Sequence, residues 1–515
     1  MDERIRIARA RLGYVDGVPQ VAPGARSARS ISRRVRPDVA RSFSGASTGN
    51  LNHSWTTQDR HLNQSLQQNL RTLRARSRDL ERNNDYAKHF LRLVTDNVAG
   101  PAGVMLQVHA KRPDGEIDQA DSNYCEDRFF AWGTAAGNCD IAARLNWIQQ
   151  QRLLVRTVAR DGEVLIRRWR GKGPFGYQLQ LLDPALLNEH YSEDLPGGRR
   201  IRMGVEVDEF DKPIAYHLSR RNVNDPRVML GYDTDCVRVP ASEIWHIFIP
   251  EGIGQYRGVP WMATTLTRQK RLNSYQEAAL AAAEEGAKKL AFIRTPDGDL
   301  APMADGAIDE SGNNDPTSGT LYTDSQDIHY GKLSPGYGIE QWDPKYPEAN
   351  YTPFVTDHVR AIGSGLGVAY HKLANNLEGV SFSSIRSGEL SERDVWLGLQ
   401  QFLLIDSFCA PAYSEWLPLS ILSGQVNLPM AKLAKFDAAL WQGRRWDWVD
   451  PEKDVTANLK AISARLTSRR RVILKMGLDP EEVWAECDAE EKRFGPLVIG
   501  PEPPPQKPKE GTADE

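Results

Sequence analysis

The chain has 515 residues, more than one hydrophobic core usually organises, with 40% hydrophobic and 26% charged residues. That balance excludes fibrous and disordered classes and suits a globular protein of several domains. A formal net charge of −3 argues against general electrostatic affinity for nucleic acid, and the longest apolar runs, such as Phe402 to Ile405, are too short to cross a bilayer. Five scattered cysteines (Cys125, Cys139, Cys236, Cys409, Cys487) predict reduced thiols rather than a disulfide framework. The polar opening Met1-Asp2-Glu3-Arg4 is not expected to be a secretory signal.

Residues 2–41 hold ten arginines against four acids (Asp2, Glu3, Asp16, Asp38), so residues 1–57 read as a disordered basic arm. From Gln58 to Val98 the pattern is helical: Leu80, Ala87, Phe90, Leu91, Val94 and Val98 recur at three- and four-residue spacing, and Gly100-Pro101 stops the run. Two further helices are expected near Ser122–Ala136 and Leu145–Arg160. The period then changes. Glu163–Trp169 and Tyr177–Leu182 flank GKGPFG as a hairpin, Gly204–Val207 and Ile214–Leu218 flank DEFDKP as another, and Glu243–Ile249 adds a strand. This region is α+β, with helices preceding a largely antiparallel sheet.

Val259 to Ile293 reads as one long alanine-rich helix of roughly 40 Å, dominated by strong helix formers. Residues 295–331 break into Gly, Pro, Asp and Asn, with eight acids and no Lys or Arg, a loop-rich module carried between two helices. A second helix spans Thr352–Ile362 and is expected to stop at GSGLG (Gly363–Gly367). The polar stretch His371–Ser381 leads to a third helix, Ser383–Cys409, with Val395, Trp396, Leu399, Phe402 and Leu403 as its apolar stripe and Pro411 as its end. Pro451–Phe494 is the last helical region, and residues 497–515 form a Pro-rich disordered tail.

Chemistry is missing from this inventory. Gly171-Lys172 and Gly331-Lys332 lack the frame and the Ser/Thr of a phosphate-binding loop. Gly252, Gly254 and Gly258 miss the dinucleotide spacing. No HExxH or CxxC occurs, and His246 in EIWHIF reads as a sheet residue. No cofactor, metal or catalytic residue is expected, and an enzyme is not the favoured class.

Seven segments in one order then carry a resemblance. They are SRDLERNNDYA (Ser77–Ala87), ARDGEVLIR (Ala159–Arg167), LQLLDPALL (Leu179–Leu187), PIAYHL (Pro213–Leu218), QYRGVPW (Gln255–Trp261), IGSGLGVAYHKLANNLEGVSFSSIR (Ile362–Arg386) and VDPEKD (Val449–Asp454). Through them the chain resembles the lambda-like portal proteins of tailed bacteriophages, from about residue 60 to residue 495. It departs at Phe382, where tyrosine is expected, and at Arg465-Leu466-Thr467, where the family has a glycine before the threonine.

The resemblance implies a homo-oligomeric ring, a dodecamer, at one capsid vertex of the virion, assembled in the host cytoplasm. Its implied partners are the terminase large subunit, head–tail adaptor proteins, the major capsid protein or scaffold, and double-stranded DNA bound without sequence specificity; no membrane is involved. It also implies a portal fold divided into wing (58–258 and 384–448), stem helices (259–293 and 351–368), clip (294–350), tunnel loop (369–383) and crown (449–496). The rival readings are another ring-forming head–tail connector or adaptor, which would lack the long helix pair, and a soluble nucleic-acid-processing enzyme, which would need a reactive cluster.

A duplex must slide through such a channel, and each phosphate neutralised releases counterions and adds affinity, so a wall with acids and few unpaired bases is expected. Glu277, Ala281 and Glu284 share one helix face and are the expected channel lining. Lys372, Asn375 and Asn376 are the expected tunnel-loop contacts. Asp305, Asp309, Glu310 and Asp315 form the expected motor- and adaptor-facing clip surface. Arg469, Arg470 and Arg471 are candidate DNA contacts in the crown; neighbours on a helix stand about 100° apart, so at least one should leave the packed face while others pair with Glu481, Glu482 or Glu486.

Overall fold

The computed structural model describes residues 14–15, 18–19, 59–220, 236–287, 291–294, 338–341, 350–378, 382–446, 451–476, 478 and 480–495. The chain divides into two units, Met1–Asp59 and Arg60–Glu515. In the first, Tyr14–Val15 pairs antiparallel with Val18–Pro19, which departs locally from the expectation of a wholly disordered arm; the rest of residues 1–57 and the tail 497–515 lie outside the described residues.

The second unit opens with two helices, Leu62–Asn83 and Asp85–Val98, where the periodicity predicts a single run. Asn84 breaks it. Its backbone is extended and its side chain accepts from the Ala87 N–H, capping the second helix. Gln119–Thr134 and Trp147–Asp161 follow. The latter starts in a capping box between Asn146 and Gln149 and ends at Gly162 in the left-handed region.

A three-stranded antiparallel sheet then forms in the order Ile244–Phe248, Glu163–Arg170, Tyr177–Leu182. A five-stranded meander runs Cys236–Pro240, Pro213–Ser219, Val205–Val207, Arg200–Arg202, Glu193–Asp194. Both expected hairpins are present. A further pairing joins Met105–Val108 to Ala439–Gln442, with Leu106 opposite Trp441. It links parts of the chain more than three hundred residues apart.

The main core is aromatic. Phe129 lies 5.6 Å from Trp147, 5.5 Å from Tyr413 and 5.1 Å from Trp416, centroid to centroid and edge-on, the geometry that aligns ring edges with π faces. Trp132, Trp416 and Tyr413 are fully buried. Helices from before the sheet and from after residue 382 thus share one interior.

The third long helix differs from expectation. Phe382–Leu399 is α-helical, Gln400–Cys409 is a π-helix, and Ala410–Leu422 resumes the α form. Side chains record the wider turn: Ser407 Oγ donates to Phe402 O at 2.6 Å and Gln401 Nε2 donates to Asp406 Oδ1 at 2.7 Å, both five residues apart. Pro411 does not end the run, because it sits in the first turn of the next helix, where a missing N–H costs nothing. The expected stripe is narrower than read: Trp396 and Leu403 are buried, whereas their neighbours Val395 and Phe402, about 100° away on the helix, are exposed.

No described helix is long and apolar enough to cross a membrane.

Glycine placement gives a direct test of this packing. A Cβ on Gly258 would sit 2.1 Å from Gly162 O, while one on Gly398 would meet nothing within 4 Å. Gly258→Ala should therefore cost about 2–3 kcal/mol or more by overpacking, and Gly398→Ala, inside a helix, should gain about 0.5–1 kcal/mol. Urea denaturation of the two variants checks both signs.

Candidate functional site

The segment that leads into the long helix is fastened by one buried carboxylate. Glu163, at the start of its strand, has a fully buried side chain. Its oxygens accept from Arg257 Nε at 3.0 Å and Arg257 Nη2 at 2.6 Å, from the Gly258 N–H at 2.9 Å and from His246 Nε2 at 3.0 Å. Arg74 Nη2 stands 3.4 Å away. An ionised carboxylate only accepts, so His246 carries its proton on Nε2; it is a sheet residue, as its sequence setting suggests. Burial alone would raise the Glu163 pKa, but Arg257 and His246 hold the carboxyl far below the usual carboxylate range.

Arg257 is equally buried, and its remaining donors go to the carbonyls of Leu187 and Met203 at 3.1 and 2.9 Å. Gly162, at φ +92°, and Gly258 let the two backbones touch; a Cβ on Gly162 would lie 2.4 Å from the Val259 carbonyl carbon. The ARDGE and QYRG motifs are the two halves of this joint. A second buried carboxylate, Glu206, is shared by Arg238 at 2.7 Å and His217 at 3.1 Å in the meander; the Arg238 hydrogen bond leads the causes that lower its pKa.

Above the joint stand two helices, Leu266–Ala287 and Tyr351–Leu366. The first is shorter than Val259–Ile293: it has 22 residues, roughly 33 Å. Residues 261–265 are turns docked on the wall beneath, with the Trp261 N–H donating to Ala159 O at 3.1 Å. Ala291–Arg294 is a strand paired with Gly338–Gln341. The second helix runs through the glycines expected to stop it and ends at Gly367 in the left-handed region. Gly365 instead permits close approach, since a Cβ there would lie 2.6 Å from Thr265 Cγ2. Higher up, Tyr275 stacks on Tyr351 at 5.8 Å and packs on Phe354 at 5.0 Å.

Glu277, Ala281 and Glu284 are all exposed, and they lie on the face turned away from Leu272 and Ala279, which are buried. Lys270, two turns below Glu277, shares that face and is exposed too. Arg268, Lys270 and Arg271 carry no ion pair among the described residues. The described part of the helix is cationic at its base and acidic above, with Lys270 joining the face that holds Glu277, Ala281 and Glu284.

The loop after the second helix is partly ordered as the short helix Tyr370–Leu373. Lys372 Nζ is 2.6 Å from Glu392 Oε2 and 3.8 Å from Glu389 Oε1, and His89 Nε2 donates to Lys372 O at 2.9 Å. Asn375 is exposed at φ +50°, and the Asn376 side chain accepts from the Glu378 N–H at 2.8 Å. The expected loop cation is thus paired within its own chain. Residues 379–381 lie outside the described residues, as do Asp305, Asp309, Glu310 and Asp315.

Toward the C-terminus, Pro451–Ser463, Arg469–Met476 and Pro480–Phe494 are helices. Arg470 pairs with Glu481 at 3.4 Å, while Arg469 and Arg471 are exposed, the separation that helical geometry requires. Three cations crowd the N-terminal turn of their helix, where its dipole disfavours them. Arg465 takes φ +58°, the conformation that explains why glycine suits this turn. No group of three or more His, Cys, Asp or Glu placed to hold a metal occurs among the described residues.

Removing the joint's anion leaves two buried guanidinium groups facing each other. Glu163→Gln should cost about 3–5 kcal/mol at neutral pH. Because the folded pKa is depressed, the stabilisation is complete above the unfolded value of about 4.3 and is lost as pH falls below it. Chemical denaturation at pH 7 and pH 3.5 should therefore show the penalty shrinking in acid.

Comparison with known proteins finds relatives along most of the chain. The model of the family described as phage portal protein, lambda family, matches residues 48–400. The probable portal protein of Halomonas phage phiHAP-1 is 34% identical over 469 residues, covering 90% of this chain and 89% of that protein. Portal protein B of Escherichia phage lambda is 22% identical over 470 residues, covering 86% and 87%. A chain in the neck of a native gene transfer agent particle, computed with C12 symmetry, aligns at 12% identity with a TM-score of 0.44, covering 78% of this chain and 94% of its own. The family's role is structural rather than catalytic. With most of its length matched in sequence and its motifs in order, the chain belongs to the lambda family of phage portal proteins.

Proposed function

We propose that this portal protein closes into a ring of twelve copies at one capsid vertex, where double-stranded DNA passes during packaging and ejection. The helix pair Leu266–Ala287 and Tyr351–Leu366 is its stem, the two flanking α+β parts its wing, residues 369–383 its tunnel loop and the three C-terminal helices its crown. The observation that carries this reading is the exposed face with Lys270, Glu277, Ala281 and Glu284 on a helix rooted in a rigid joint. With one cation at its base and acids above, that face attracts phosphates weakly at one level and repels them along the rest, so a duplex is centred without the affinity that a basic wall would create.

The acidic residues Asp305, Asp309, Glu310 and Asp315 fall between the two stem helices in sequence. This supports a clip that meets the terminase large subunit and head–tail adaptors through basic surfaces, with charge steering their approach. In the crown, Arg469 and Arg471 are exposed against their helix's own dipole, an arrangement that a neighbouring phosphate backbone would relieve. The capsid protein or scaffold would surround the wing.

Purified protein should form rings with twelve-fold symmetry and a central hole by negative-stain microscopy; a monomer would refute the assembly. Deleting Ala374–Glu378 should leave rings intact but reduce genome retention, and stably retained full-length genomes in that mutant would refute the loop's role. Changing Arg469 and Arg471 to Gln should lower the salt slope of duplex binding by ring preparations, by roughly one for each phosphate no longer neutralised.

A further inference from the structure

We propose that Glu392 is a positioning residue that withdraws the Lys372 ammonium from the channel, so that the tunnel loop presents an uncharged or acidic edge to DNA. The inference rests on the reading of residues 369–383 as the loop beside the duplex. Four observations carry it. Glu392 is only 7% exposed, and a carboxylate that buried requires a cation. Lys372, at 2.6 Å, is its one ion partner among the described residues. Glu389, at 3.8 Å, adds a second negative charge on the same side and is itself steadied by Arg393 at 3.6 Å. The Lys372 backbone is fixed as well, because its carbonyl accepts from His89.

Lys372 is therefore held at its ammonium and at its backbone, and the loop's outer edge is left to Asn375, Leu377 and Glu378, all exposed. The magnitude explains why this matters. An unpaired lysine on every subunit of a twelve-membered ring could contact up to twelve phosphates, giving a salt slope of about −11 at about 0.9 per contact, the signature of a clamp rather than a passage. Pairing each lysine within its own subunit removes that drag while keeping the loop in place.

Rings treated with a lysine-modifying reagent and analysed by mass spectrometry provide the test, with exposed Lys172 as internal reference. In the wild type Lys372 should react about tenfold more slowly than Lys172, a ratio equivalent to about 1.4 kcal/mol; Glu392→Gln should bring the two rates together. The same variant should bind duplex DNA with a salt slope steeper by about one or more, and adding Lys372→Ala should abolish that gain. Equal rates in the wild type overturn the proposal, and this arm decides the matter even where the variant rings fail to assemble. Release of Lys372 in Glu392→Gln without any change in DNA binding overturns the loop's place beside DNA, and a gain that survives Lys372→Ala overturns the role of this pair.

Discussion

The contact between Glu163 and Arg257 governs much of this architecture. A carboxylate and a guanidinium, both fully buried, are tolerable only because every oxygen and nearly every N–H finds a partner; an incomplete set would cost several kcal/mol per ion. That requirement draws in Arg74 from the first helix, His246 from the neighbouring strand, and the carbonyls of Leu187 and Met203 from the loops around the meander. Six stretches of the chain are thereby brought to one point, and the chain leaves it at Gly258 in the direction of the long helix. Polar satisfaction and two glycines fix the chain at the joint, and Met262, Leu266 and Leu272, all buried, then pack the base of the helix into the hydrophobic core.

A different device holds the chain where it returns from the helix pair. The chain returns through Gly367, passes the tethered Lys372 and enters a helical run whose middle is π-helical. Gln400, where the π-turns begin, donates to the carbonyls of Asn97 and Arg444 at 3.1 Å each. The widened turns carry Leu403, Leu404 and Phe408 into the core, and Phe408 lies 4.7 Å from the stacked Trp147. Local backbone economy gives way to the fit of the aromatic interior.

Much of this was legible in the residues. Both hairpins follow from alternation beside turn-forming segments, GKGPFG and DEFDKP, and the ARDGE and QYRG segments stand out as motifs before their joint is visible. What alternation cannot reveal is pairing at long range: Met105–Val108 finds its partner at Ala439–Gln442, and Ala291–Arg294 reads as a helix end because Gly338–Gln341 lies far away in sequence. Gly363 and Gly365 look like helix stops, yet they serve close contacts within a continuing helix. Of the candidate site, the exposure of Glu277, Ala281 and Glu284 follows from helical spacing. The capture of Lys372 by Glu392 does not, since it depends on how two helices either side of a loop are folded together.

The ladder between Met105–Val108 and Ala439–Gln442 also bears on the order in which a newly made chain acquires its shape. Trp441 stands 6.0 Å from Phe129 and 6.4 Å from Tyr413, so the aromatic interior lacks a wall until the ribosome has released that residue. Everything between, the long helix pair included, is synthesised while its foundation is unfinished. Contacts of such sequence separation form slowly, and an unclosed core leaves apolar surface open to wrong partners. A core whose wall comes from so late in the chain cannot finish packing until Trp441 has emerged, however fast the earlier helices form.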